Sequence, residues 1–206
     1  MKILVLHAGG TIGMVRTGDG FAPSAGLVEA ELQRLGSERA SISTHDLVTL
    51  VPSIDSANAS PADWNRIAGA IAADYEGYDA FVVIHGTDTL AFTSAALCFA
   101  LEGLGKAVIL TGAMVPLSEP NSDGPANLAG ALDAARSAKP GVWVQFAGKL
   151  MHGARVRKAH SSALDAFVAG TGAAPPCRTG GRLKSHRYGN ASAAILSVAP
   201  RRSNMS

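Results

Sequence analysis

The amino-acid sequence predicts an α/β protein, a three-layer sandwich with helices on both faces of a largely parallel sheet. Three observations predict it. Strand-like and helix-like runs alternate along the chain. Several strand-like runs, "FVVI" above all, are continuously apolar, as strands buried on both faces are. The 206 residues are 47% hydrophobic and 17% charged, which suits one folded domain and excludes a disordered chain.

The elements follow in order. "KILVLHA" (2–8) is a strand: one lysine and a short apolar run that ends in glycines do not make a secretory leader. "GGTIG" is a tight turn, "MVRTGDGFAPSAG" a polar loop, and "LVEAELQRL" (27–35) has helical spacing. "SISTHDLVTL" (41–50) alternates as a strand does. Ser60, Pro61 and Asp63 then open a helix that runs to about Ala73: a capping hydroxyl, a first-turn proline and an acid near the positive dipole end. Residues 80–85 are a strand, 90–103 a helix, 107–112 a strand, 124–137 a helix and 141–148 a strand. Beyond about residue 168 the text becomes rich in Gly, Pro and Arg, and no acidic residue follows Asp165. A domain over 1–168 followed by a basic linker over 169–206 is the expected division, with "AAILSVAP" (193–200) reading as one further strand.

Composition narrows the function classes. A net charge of +2, with no basic stripe before the tail, argues against nucleic acid or an anionic membrane as partner. No stretch approaches eighteen consecutive apolar residues, and the expected location is the cytoplasm. Cys98 and Cys177 lack metal-ligand spacing, and Cys98 reads as a small buried hydrophobe. The histidines have no metal spacing, and neither phosphate-binding glycine pattern is present. No metal and no nucleotide is expected.

In such folds sites form where loops leave the carboxyl ends of strands. The polar clusters sit there: Gly9-Gly10-Thr11, Asp55-Ser56 and Thr87-Asp88. A threonine hydroxyl is a poor nucleophile and needs a base or a polarising neighbour, which a Thr-Asp pair with a lysine such as Lys158 could supply. Glycines beside the threonines leave backbone N–H groups free to face a developing oxyanion. Thr11, Ser56, Thr87, Asp88 and Lys158 together indicate acyl transfer on a small polar substrate. Each has a plainer reading alone. "GGTIG" suits any tight turn, Asp88 suits a helix N-cap, and Ser56 suits an ordinary loop. Lys158, near Arg155 and Arg157, suits a solvated basic loop, and His85 suits a structural hydrogen bond.

Five ordered segments resemble the bacterial-type L-asparaginase family, most closely its cytoplasmic type I branch. They are "HAGGTIGM", "SIDSANASPADW", "VVIHGTDTLAFTSAAL", "GKAVILTGAMVPLSEPNSDGPANLAGAL" and "GKLMHGARVRKAHSSALDAF". The resemblance covers residues 2 to about 168 and implies a flavodoxin-like catalytic domain. It implies hydrolysis of L-asparagine, with L-glutamine as a weaker substrate, to the free acid and ammonia, without metal or organic cofactor. Thr11 is then the nucleophile. Thr87, Asp88 and Lys158 form a second triad that activates a hydroxyl or water and holds the substrate. Asp55 and Ser56 belong to the loop that grips the α-carboxylate, with Asp88 also facing the α-ammonium. A homodimer or homotetramer is implied as the assembly.

Two departures from the family's pattern matter. Phe21 stands where the family's mobile lid carries a tyrosine, which keeps the ring and loses the hydroxyl. The family's C-terminal domain is not in this sequence, and 193–200 resembles only its first strand, so a weakened assembly is expected. The alternative is therefore a truncated, catalytically weak or inactive domain that binds asparagine or aspartate. The amidase subunit of a tRNA-dependent amidotransferase shares both threonine signatures, but carries an extra module before them.

Overall fold

The structure is a computed structural model that describes residues 1–39, 44–171 and 183–188. Strand β1 (Ile3–His7) leads through a 3₁₀ turn (Thr11–Gly13) into the strands β2 (Met14–Thr17) and β3 (Gly20–Pro23). Helix α1 (Leu27–Glu38), strand β4 (His45–Thr49), helix α2 (Pro61–Ala73) and strand β5 (Ala80–Ile84) follow. Next come α3 (Leu90–Ala100), the short β6 (Leu101–Glu102), β7 (Ala107–Thr111), α4 (Gly124–Ser137) and β8 (Gly141–Phe146). The described chain ends with β9 (Lys149–His152), β10 (Val156–Lys158), β11 (Phe167–Ala169) and β12 (Lys184–Ser185).

The main sheet has the order β4-β1-β5-β7-β8-β9, parallel except for β9 at the edge. Side chains alternate across it, which sorts one strand's residues into two cores. Leu4, Leu6, Phe81, Val83, Val108 and Leu110 pack with Ile67, Ile71 and Leu97 of α2 and α3. Ile3, Val5, Val82, Ile84 and Ile109 pack with Leu32, Leu35, Leu128 and Leu132 of α1 and α4. Burying each such side chain contributes about 1.5–3 kcal/mol, so the two faces together hold the sandwich. The expected three-layer α/β architecture is what the chain builds.

Taken in chain order, the five parallel strands lie as 2-1-3-4-5, the flavodoxin-like arrangement. Its connections reverse direction between the first and third strands, here β1 and β5, and leave a crevice outside their carboxyl ends. That crevice is where Thr11 and Thr87 stand.

Most elements lie where the sequence predicts them. Helix α4 has the expected bounds. Helix α2 starts as expected, with the Ser60 N–H and hydroxyl donating to the Asp63 carboxylate at 3.0 and 2.8 Å. Cys98 is buried. Three readings need correction. The polar loop over 14–26 is a β-hairpin, with Arg16 paired across from Phe21. The helix over 90–103 stops at Ala100, because Leu101 and Glu102 extend to pair with Lys184 and Ser185, from far along the chain. The segment leading to Lys158 is a short strand, antiparallel to β11, and not a solvated loop. Residues 41–43, Cys177 and the strand expected over 193–200 lie outside the described residues.

Residues 183–188 return to the helical face of α2 and α3. Asn65 donates to the Tyr188 carbonyl and accepts from its N–H (2.6 and 2.7 Å), and the Tyr188 hydroxyl donates to Ala96 O at 2.6 Å. Trp64 meets the Tyr188 ring edge-on, centroids 5.4 Å apart.

Candidate active site

Glycine lets three loops meet. Gly9 and Gly10 have φ of +135° and +104°, a left-handed region open to glycine and strained for other residues. A Cβ on Gly10 would lie 2.5 Å from Gly86 N, and one on Gly86 would lie 2.2 Å from Ser56 Oγ. The loops after β1 and β5 therefore touch backbone to backbone at Gly10 and Gly86, and the Ser56 side chain of the loop after β4 packs onto Gly86. Thr11 and Thr87 each follow their contact glycine directly, so one contact places both residues at the same crevice.

The β5 corner is assembled around Lys158. Its Nζ donates to Thr87 Oγ1 at 3.0 Å and to Asp88 Oδ1 at 2.9 Å, across 71 and 70 positions of sequence. Thr87 is 6% exposed. The Lys158 side chain is 19% exposed and that of Asp88 58%. An ion pair so open to water is worth under about 1 kcal/mol. Its consequence is orientation: with the ammonium donating to Thr87 Oγ1, the Thr87 hydroxyl hydrogen points away from Lys158. Beneath this corner His85 is buried, its ring between Gly86 O and the Thr93 hydroxyl. Burial pushes its pKa down, so the ring is neutral. The structural reading of His85 is the one its surroundings support.

The β4 loop supplies a buried serine and a structural aspartate. Ser56 is buried, and its carbonyl accepts from Thr89 Oγ1 at 2.7 Å, which ties this loop to the start of α3. The Asp55 carboxylate caps its own turn, accepting from Ala57 N at 3.0 Å and Asn58 Nδ2 at 2.7 Å.

The β1 corner is more open. Thr11 is half-buried at the start of its 3₁₀ turn, and its hydroxyl has no partner among the described residues. Phe21 is 42% exposed on the hairpin that follows, its ring centroid 4.8 Å from the Arg16 guanidinium. Arg16 in turn binds Glu119 with two N–H donors, at 3.1 and 3.4 Å. On the other flank of the Gly9–Gly10 turn a cavity of about 620 Å³ is lined by His7, Ser24, Glu29, Leu50 and Asp55 among others; Thr87, Asp88 and Lys158 do not line it.

Sequence reasoning missed a brace behind the fourth loop, after β7. Asp123 accepts from Met114 N and Val115 N at 2.9–3.0 Å. Buried Asn127 donates to Gly112 O at 3.0 Å and accepts from Ala147 N at 2.9 Å. The signal for it was "SDGPAN", polar residues flanking a helix start that composition alone cannot assign. Among the described residues no His, Cys, Asp and Glu side chains cluster so as to hold a metal ion, and no helix is long and apolar enough to cross a membrane.

The family model described as Asparaginase, N-terminal matches residues 2–187. The chain belongs to this family. It is 44% identical over 170 residues to an L-asparaginase of Thermococcus kodakarensis, covering 81% of this chain and 50% of that protein. It is 41% identical over 169 residues to L-asparaginase 1 of Escherichia coli K12, with the same shares. The solved thermostable L-asparaginase from Thermococcus kodakarensis superposes with a TM-score of 0.71 at 41% identity, over 82% of this chain and 51% of that one. The chain thus spans about half the length of the curated relatives it matches.

Proposed function

We propose that the chain hydrolyses the side-chain amide of L-asparagine, with Thr11 as nucleophile. The observation that carries this is the Thr87–Lys158–Asp88 hydrogen-bonded triad, with a threonine at a glycine-shaped turn whose hydroxyl has no partner among the described residues. Thr11 Oγ1 bonds to the amide carbon, and its proton passes through Thr87 or an intervening water to the leaving nitrogen, which departs as ammonia. Water then attacks the acyl carbon; its hydroxyl completes aspartate and its remaining proton returns to Thr11. The Lys158 ammonium stabilises Thr87 Oγ1 whenever that oxygen has given up its hydrogen. The loop that carries Asp55 and Ser56 grips the α-carboxylate, and Asp88 faces the α-ammonium. L-Glutamine, one methylene longer, is a weaker substrate. The reading includes a cytoplasmic location and a homodimeric or homotetrameric assembly.

A second reading is favoured by Phe21. Its ring lies on Arg16 and has no hydroxyl to orient Thr11, which suits a domain that binds asparagine or aspartate and turns it over slowly. Ammonia release from L-asparagine, compared with a Thr87→Ala variant, separates the two. Release lost in the variant supports hydrolysis; calorimetric binding of aspartate without release supports the binding domain.

A further inference from the structure

A trans peptide is planar, so its C=O and the following N–H point in opposite directions. The peptide from Gly86 to Thr87 is trans. Its carbonyl is turned into the protein, where His85, 1% exposed, places Nδ1 2.8 Å from Gly86 O. A carbonyl oxygen only accepts, so Nδ1 carries the hydrogen. The other ring nitrogen, Nε2, lies 3.2 Å from Thr93 Oγ1, itself fully buried, and in the neutral ring it accepts from that hydroxyl. The two contacts admit one tautomer. With Gly86 O held toward the ring, the Thr87 N–H points away from it, and no group of the described residues accepts from this N–H. Gly86 itself is closely packed: a Cβ there would meet Ser56 Oγ at 2.2 Å and Gly10 Cα at 3.3 Å.

We propose that His85 is a positioning residue: through the Gly86 carbonyl it aims the Thr87 N–H at the oxygen that becomes negative when a hydroxyl adds to the substrate amide. This rests on the amide-hydrolysis reading and adds to it the residue that sets the donor's direction. His85 never touches substrate. Thr93 acts one step further back, by choosing the tautomer.

The test uses two isosteres in the full chain. Asparagine can place an amide N–H where Nδ1 stands, whereas glutamine places its amide near Nε2 and leaves Gly86 O unpaired. His85→Gln should lower kcat on the order of a hundredfold with KM within about twofold, the loss typical of one oxyanion donor. His85→Asn should recover at least about tenfold of that loss at a matching Tm. Equal kcat losses in both variants, or a loss confined to KM, overturn the proposal. A second readout needs neither variant nor turnover. Nitrogen-15 NMR of the wild-type imidazole should show a neutral Nδ1–H ring, and the Thr87 amide signal should move on adding L-aspartate. An Nε2–H tautomer, or a Thr87 amide indifferent to bound aspartate, overturns it. Absence of ammonia release with these NMR results intact overturns the hydrolysis reading and the oxyanion target with it, and leaves only the direction of the Thr87 N–H set by His85.

Discussion

The corners after β1 and β5 begin alike, a glycine and then a threonine, and end as opposites. At β5 the hydroxyl is buried, bound by Lys158 and underpinned by the His85–Thr93 pair. At β1 the hydroxyl is half-buried with no partner among the described residues, and the chain beyond it is a hairpin whose aromatic faces outward. The first is a finished polar network. The second is a bare hydroxyl on a turn shaped by glycine. Under the proposed hydrolysis this arrangement keeps the proton-handling groups fixed and leaves the attacking group for the substrate to complete.

The comparison can be broken most completely at the glycine where the two corners touch. Gly10→Ala puts a Cβ about 2.5 Å from Gly86 N at a φ of +104°. Strain of that kind costs roughly 1–3 kcal/mol before the clash is counted. Ammonia release should vanish, and Tm should fall by on the order of 5–10 °C in a calorimetric scan. An active variant with unchanged Tm would mean the corners do not need this contact.

Lys158→Met strikes the finished corner alone. The kcat for ammonia release should fall on the order of 10²–10³-fold. Tm should hold within a few degrees, because the Asp88 end of the pair is 58% exposed. A large fall in Tm would recast the triad as a structural ion pair.

Phe21→Tyr sharpens the open corner by adding a hydroxyl to the hairpin. The expected gain in kcat is roughly tenfold, with Tm unmoved because the ring is half-exposed. No change in steady-state kinetics would show that the hairpin does not close over Thr11.

A pH titration reads the buried ring. Burial lowers the pKa of His85, so between that depressed value and the ordinary one near 6.5 the unfolded chain binds the proton and the folded chain does not. Stability is therefore fully present above about pH 6.5 and declines as pH falls below it. Tm measured from pH 7.5 to 5.5 should fall, and His85→Asn should flatten the slope. His7, lowered by burial against an opposing pull from Glu29, adds to the slope in the same direction and remains in that variant.

The smallest effect belongs to Glu119→Gln. Its bond to Arg16, whose side chain is 67% exposed, is worth less than about 1 kcal/mol. Tm should move by no more than about 2–4 °C, and the difference from wild type should fade in high salt.

The β5 corner was legible in the sequence because its residues are neighbours in "HGTDT" and follow a continuously apolar strand. Lys158 was not legible in the same way. It reaches Thr87 only after β10 pairs with β11, and those strands have three residues each, too short for an alternation to declare itself. The hairpin read as a loop because "RTGDG" is dense in polar and turn residues, while its pairing rests on backbone bonds rather than on a buried face. His85 could be placed beside the site by position, but its tautomer depends on Gly86 O and Thr93, contacts that only packing creates.

The division of labour is tested most directly by stopping the reaction midway. The wild-type chain is mixed with L-asparagine, quenched in acid within milliseconds to seconds, digested, and its peptides are weighed. The account predicts an aspartyl ester on the peptide carrying Thr11 and none on the peptide carrying Thr87. An ester on Thr87, or ammonia release with no ester on either, would contradict it.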